Sequence, residues 1–241
     1  MWFSKKRKDI EFVDTSRNAY LHSPIIPAKK VPIPFADDQR QKHGKYKFSF
    51  CPGMYDYSAY GYIMPAWDDF HIKTNKAGST ALQGGYRKTQ DNFTPPNRMD
   101  ADVVDGVFKP QDGIDVHVWK FNAPWGVFVN KNISCFLMPA FYHAKYLDDV
   151  YVYPGIVDYS KRFHTINFIC ALKRDCEVHI KQGEPLLHIL PFHNGDIESV
   201  SRPAEQEDMD SFKSTIYNSQ SNFYRKFLYV KKKFSLNKNN K

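Results

Sequence analysis

The sequence predicts a mainly β protein: an antiparallel or mixed β-barrel or sandwich, with an extended N-terminal arm and a C-terminal α-helix. Three observations carry this expectation. Short apolar runs recur through residues 101–192, separated by turn residues. Residues 10–44 are punctuated by Pro24, Pro27, Pro32 and Pro34. Residues 202–234 gather acids at their start and bases at their end, as the helix dipole favours.

The elements follow in order. The arm covers residues 1–44. Its prolines alternate with Ile25, Ile26, Val31, Ile33 and Phe35. Proline fixes φ and lacks an N–H donor, so a helix or a central strand does not fit there. The interleaved apolar groups suit an arm packed on its own domain. The β domain covers 45–200. It opens with Tyr46, Phe48 and Phe50 alternating with Lys45, Lys47 and Ser49, a period of two that reads as a strand. Cys51-Pro52-Gly53 ends that run, and strands are expected around 61–66 and 69–73. Tyr55, Tyr57, Tyr60, Tyr62 and Trp67 make this stretch aromatic-dense, which suits core and sheet-edge packing better than a stacking surface. Residues 74–100 are polar, with Gly84-Gly85 and Pro95-Pro96, and read as a long loop or an open hairpin.

Seven apolar runs come next: 116–121, 126–129, 135–138, 150–153, 165–172, 176–180 and 186–190. Asn122-Ala123-Pro124, Pro154-Gly155, Lys173-Arg174-Asp175 and Gln182-Gly183 punctuate them. The connections are too short for crossover helices, so the sheets should be antiparallel or mixed. The C-terminal region, 201–241, carries Met209, Phe212, Ile216, Phe223 and Phe227 at partial helical spacing, interrupted near 219–221. One helix, or two with a break, is expected.

Charge is concentrated at the ends. The chain has 34 basic and 26 acidic residues. Residues 1–9 and 223–241 together hold eleven of the basic and one of the acidic groups, which leaves the middle near neutral. Lys5, Lys6, Arg7 and Lys8 at one end, and Arg225, Lys226, Lys231, Lys232 and Lys233 at the other, are the candidate contacts to an anion or nucleic acid. Phe223, Tyr224, Phe227, Tyr229 and Phe234 interleave the second set. No run of apolar residues is long enough to span a membrane, and the basic start is not followed by the apolar stretch of a secretory signal. Four cysteines without CxxC spacing read as reduced thiols of a cytoplasmic protein.

Signals for chemistry are sparse. A metal site on one strand face needs ligands two apart, so that neighbouring side chains converge on one ion. No H-x-H, H-x-D or H-x-E occurs among the nine histidines. Convergence of His117, His164 and His188 from three separate strands is the weak metal candidate. The phosphate-binding G-x-x-x-x-G-K-[ST] run and the nucleophile elbow G-x-S-x-G are both missing. No cofactor is expected.

The most patterned segment is Tyr153–Phe192. Pro154-Gly155-Ile156-Val157-Asp158, with Gly183, Glu184 and Leu186 later, resembles the second half of trimeric dUTP pyrophosphatases. That resemblance implies a similar barrel and makes Asp158 the candidate water-activating carboxylate. The family's stacking tyrosine position is Lys161 here, and the glutamine of its closing run is His188. Residues 130–139 carry no phosphate-binding arginine. A second resemblance covers about residues 48–192. It rests on Cys51-Pro52, Gly61-Tyr62-Ile63-Met64-Pro65, Pro124-Trp125-Gly126-Val127, Pro154–Asp158, Asn167-Phe168-Ile169, Gly183-Glu184-Pro185-Leu186 and Leu190-Pro191-Phe192. These look like an uncharacterised family of bacterial and phage β-barrel proteins. It implies no catalytic residues.

The expected function is that of a non-enzymatic β-barrel protein of assembly or binding, a phage structural or accessory protein, with its charged ends as contact elements. A protein partner or a second copy of the chain is the expected partner, and nucleic acid is a candidate through the basic ends. The expected place is the cytoplasm of the producing cell, or the virion. The alternative is an enzyme: a nucleotide hydrolase resembling the dUTP pyrophosphatases, or a metal-dependent jelly-roll enzyme.

Overall fold

A computed structural model describes residues 9–16, 18–33, 52–76, 80–85, 87–88, 93–94, 96–99, 114–160, 164–195 and 198–219. The chain divides into two units, residues 1–32 with 61–194, and residues 33–60 with 195–241. The first unit holds the sheets.

Its elements are β1 (Ile10–Asp14), α1 (Ala19–His22) and β2 (Ile26–Pro27), and then β3 (Tyr62–Pro65), β4 (Phe70–Thr74) and β5 (Thr80–Gly84). In the second unit, α2 is Pro52–Ala59 and α3 is Gln206–Ser219. The short strands β6 (Arg87–Lys88), β7 (Phe93–Thr94) and β8 (Asn97–Arg98) follow β5. Seven further strands complete the first unit: β9 (Ile114–Val129), β10 (Ile133–Pro139), β11 (Val150–Val152), β12 (Gly155–Val157), β13 (His164–Lys173), β14 (Glu177–Ile180) and β15 (Pro185–His193).

The strands form three antiparallel sheets in a sandwich-like arrangement. The first sheet runs β1-β9-β13-β11, with β8 also on β9. The second runs β12-β10-β15-β3-β2, and the third β14-β4-β5. A two-stranded ribbon, β6-β7, is separate. The mainly β, sandwich expectation with a C-terminal helix is the one the structure shows. The barrel is corrected: among the described residues each sheet is open, with two free ends to its strand order. Closure needs the terminal strands to pair at a consistent tilt and stagger. Here β11 and β12 span three residues each, and β2 is two residues ending in Pro27, which has no N–H to offer a further strand.

One core joins the three sheets. β13 points Ile166, Phe168, Cys170 and Leu172 inward, and β9 contributes Phe121, Ala123, Trp125 and Val127. Cys135 and Leu137 of β10, Leu187 and Ile189 of β15, and Phe70, Ile72, Val178 and Ile180 of the third sheet meet them. These are residues two apart on each strand, the period a half-buried strand requires. Burying a large apolar side chain contributes roughly 1.5–3 kcal/mol, so this cluster dominates the stability of the unit. The outer face of the second sheet carries a smaller cluster of Ala28, Ile63 and Ala140.

Two local differences from the sequence expectation have clear causes. Residues 116–121 and 126–129 belong to one strand, β9, and Asn122-Ala123-Pro124 does not turn the chain. The register slips instead: Thr165 faces Gly126 while Asn167 faces Asn122, so β9 has extra residues there. A bulge tolerates proline because its position makes no ladder bond. The Pro124 carbonyl is used all the same, accepting from Thr15 N at 2.8 Å and Thr15 Oγ1 at 2.9 Å. The second difference is α2, in a stretch the aromatics had suggested for sheet packing. Proline suits the first turn of a helix, where its missing N–H is of no consequence. The strand expected at 45–50 lies outside the described residues.

The second unit contains α2 and α3. Asp208 at the third helical position of α3 accepts from Glu205 N at 2.9 Å, satisfying a donor ahead of the first turn. Arg202 grips the same carboxylate through both guanidinium ends, at 2.5 and 3.1 Å. The Arg202 guanidinium and this backbone bond hold the Asp208 carboxyl below its usual range.

Candidate metal centre

The third sheet has two unlike faces. On β4, Phe70, Ile72 and Thr74 are buried, whereas His71 and Lys73 point the other way. On β14, Val178 and Ile180 are buried, and Glu177 and His179 are exposed. Alternation thus presents one polar row per strand. Register brings the rows together: His179 lies directly opposite His71, and Glu177 opposite Lys73. On the other side of β4, Gln83 of β5 lies opposite His71. The β4/β5 pairing needs glycine at position 84, where φ is +78° and a Cβ would run into the Asp69 carbonyl.

The side chains converge. His71 Nε2 is 2.7 Å from Glu177 Oε1, and His179 Nε2 is 3.4 Å from the same oxygen. The two imidazole rings stack, with centroids 3.9 Å apart and planes inclined by 20°. One ligand atom from each of His71, Glu177 and His179 lies within 4.8 Å of the other two. Tetrahedral zinc with bonds of about 2.0–2.1 Å sets its ligand atoms roughly 3.3 Å apart, so modest side-chain motion suffices to admit an ion.

The surroundings orient these three groups. Lys73 Nζ is 3.4 Å from Glu177 Oε2, leaving Oε1 for the histidines. His71 Nε2 donates to Glu177, and Nδ1 is 3.4 Å from Gln83 Oε1, so the Gln83 carbonyl can receive the ring proton on Nδ1 once an ion replaces the proton on Nε2. Hydrogen bonds from His71, then His179, then the Lys73 charge hold the Glu177 carboxyl down at about 2. The carboxylate is therefore ionised throughout the neutral range, as ligation requires. Two nitrogens and one oxygen suit zinc and its neighbours in the first transition row better than calcium or magnesium. Three such groups on an exposed face would leave a position for water or substrate if an ion were bound.

The residues singled out in the sequence are placed elsewhere. His117 lies toward the start of β9, whereas His164 begins β13 and pairs with Val127 near the other end of β9. Ten strand positions separate His117 from Val127, about 30 Å along a strand. His164 Nδ1 is 2.7 Å from the Thr165 carbonyl. His188 belongs to the second sheet, opposite Ile63, and is fully buried. Its ring meets that of His143 at 6.1 Å, and His143 Nδ1 is 3.1 Å from the Pro32 carbonyl. These three histidines stay apart because the register assigns them to different strand ends and sheets. Asp158 is exposed beyond β12 and accepts from Ser160 N at 2.9 Å and Ser160 Oγ at 2.6 Å, closing a turn. Lys5, Lys6, Arg7, Lys8, Arg225, Lys226, Lys231, Lys232 and Lys233 lie outside the described residues.

H-x-H, H-x-D and H-x-E are not the orders that matter here; the carboxylate comes first. Glu177-Val178-His179 is E-x-H, which places two ligands on one strand face just as well. The reversed order also occurs at Asp69-Phe70-His71 and Asp115-Val116-His117, so it does not single out the cluster by itself; Glu177 lies more than a hundred residues from His71.

No family model, curated protein or solved structure matches this chain. That overturns both resemblances drawn from the motifs, to the dUTP pyrophosphatases and to the bacterial and phage β-barrel family. The open sheets overturn the barrel that both implied. Pro-Gly and Gly-Glu-Pro runs are what many antiparallel strands use to leave a turn, so these motifs report turns and not ancestry. Among the described residues no helix is long and apolar enough to cross a membrane.

Proposed function

We propose that this chain binds one divalent transition-metal ion, with zinc the best fit, through His71, Glu177 and His179. On this reading it is a metal-dependent enzyme on a β-sandwich, and its chemistry is hydrolytic. The observation that carries the proposal is the convergence of two imidazole nitrogens and one carboxylate oxygen within 4.8 Å on an exposed sheet face. A zinc ion held by three protein ligands lowers the pKa of a bound water to about 7, which supplies hydroxide at neutral pH. His71 and His179 would hold the ion, and Glu177 would offset part of its charge. Gln83 would steady the His71 ring through its other nitrogen.

Titration calorimetry with zinc chloride tests the proposal. One ion per chain should bind, and His179→Ala should weaken binding by about a hundred-fold or more. Unchanged zinc binding in His71→Ala and His179→Ala would place the metal elsewhere and overturn it.

A further inference from the structure

We infer that the metal-loaded centre binds phosphate groups, with Lys73 as the second anchor beside the ion, so that its substrates are phosphate esters. This inference rests on the metal centre proposed above.

The geometry for it is already present in one carboxylate. Glu177 turns Oε1 toward His71 and His179 and Oε2 toward Lys73, at 3.4 Å. Its two oxygens therefore span the place where an ion would sit and the ammonium next to it. A second oxyanion with two free oxygens can span the same pair from the solvent side. Lys73 is able to serve both, since an ammonium has three donors and Glu177 occupies one. Its side chain is 64% exposed, so the remaining donors face solvent. The open coordination position faces the same way, because all of these side chains project from the outer face of the third sheet.

Charge selects among oxyanions. A divalent ion and Lys73 together outweigh Glu177 by about two positive charges. A phosphate monoester carries about −1.5 to −2 at neutral pH and matches that excess, whereas a carboxylate supplies half of it. Charge-assisted bonds from ammonium to phosphate oxygen are among the stronger hydrogen bonds. With a fifth position taken up, as zinc can do along a reaction, the ion would hold a phosphate oxygen and a water together, with phosphorus beside that water, the arrangement that hydrolysis of a phosphoester needs. In that step the water oxygen bonds to phosphorus, the ester P–O bond breaks, and the alcohol leaves with a proton. No oxidant or further reactant is required.

The experiment uses the full chain, loaded with zinc and freed of excess metal. Zinc binding is measured first, by itself. Inorganic phosphate and acetate are then titrated separately into the loaded protein. Phosphate should bind, acetate at least ten-fold more weakly, and the metal-free protein should bind neither comparably. Lys73→Gln should retain zinc yet lose about ten-fold or more in phosphate affinity, and Lys73→Arg should recover most of it. Zinc binding without phosphate binding, or equal phosphate affinity in Lys73→Gln, overturns this inference and leaves the metal centre standing. Absence of zinc binding overturns both.

Discussion

The two faces of the β14-β4-β5 sheet are built from alternate residues of the same strands and obey different physics. Toward the core, Phe70, Ile72, Val178 and Ile180 are at most 5% exposed and join the central cluster. Toward solvent, His71, Lys73, Glu177 and His179 form a charged, hydrogen-bonded row. The inner face contributes stability through area removed from water, which is indifferent to chemical identity as long as shape is kept. The outer face contributes little to stability, because exposed ion pairs are worth little. It depends instead on atom type and position. Folding energy and chemistry are therefore separable here at single-residue resolution, across one sheet thickness.

Substitutions can break or sharpen that separation. The largest effect expected is on the inner face: Phe70→Ala should cost about 3–5 kcal/mol in denaturant unfolding. A cost below about 1 kcal/mol would mean that the sheet is not seated on the core. On the outer face, His179→Ala should leave metal-free stability within about 0.5 kcal/mol while removing zinc affinity. A large loss of stability there would show the two faces to be coupled.

Acid gives a finer test. The Glu177 carboxyl is lowered in the folded chain from the ordinary 4.5 to about 2. A lowered carboxyl stabilises the fold above its unfolded pKa, and that contribution fades as pH falls toward the folded value. Metal-free wild type should therefore be more stable than Glu177→Gln at pH 6, and the two should converge as pH drops from about 4.5 to about 2. A difference that persists at pH 2 would assign the effect to packing. The smallest effect concerns thiols. Burial pushes the Cys135 thiol up to about 12 and raises that of Cys170 as well, so both should resist alkylation in the native state. Cys176 is half-buried beside Thr74 and should label first of these three, as peptide mapping by mass spectrometry would show.

Much of the strand pattern was legible because it is local. The alternation within Thr165–Leu172 and the apolar residues of 186–190 mark β13 and β15 directly. Acids crowding the start of 205–210 mark α3. The site was half legible: Glu177-Val178-His179 carries its own signal, with the carboxylate ahead of the histidine. The rest was not legible for a physical reason. Pro124 reads as a strand breaker until the bulge opposite Thr165–Asn167 shows how it is accommodated. Nothing near His71 in sequence points to Glu177 and His179 until β14 is laid against β4.

The sequence by itself thus determined which residues alternate, several of the places where the chain turns, and that the body between its basic ends is near neutral. Those properties depend on neighbours within a few positions. Tertiary structure alone decided that the sheets stay open, that His117, His164 and His188 are kept apart, and that His71 stacks on His179. Strand register sets all three, and register is chosen by the packing of a whole sheet face rather than by any short run of residues.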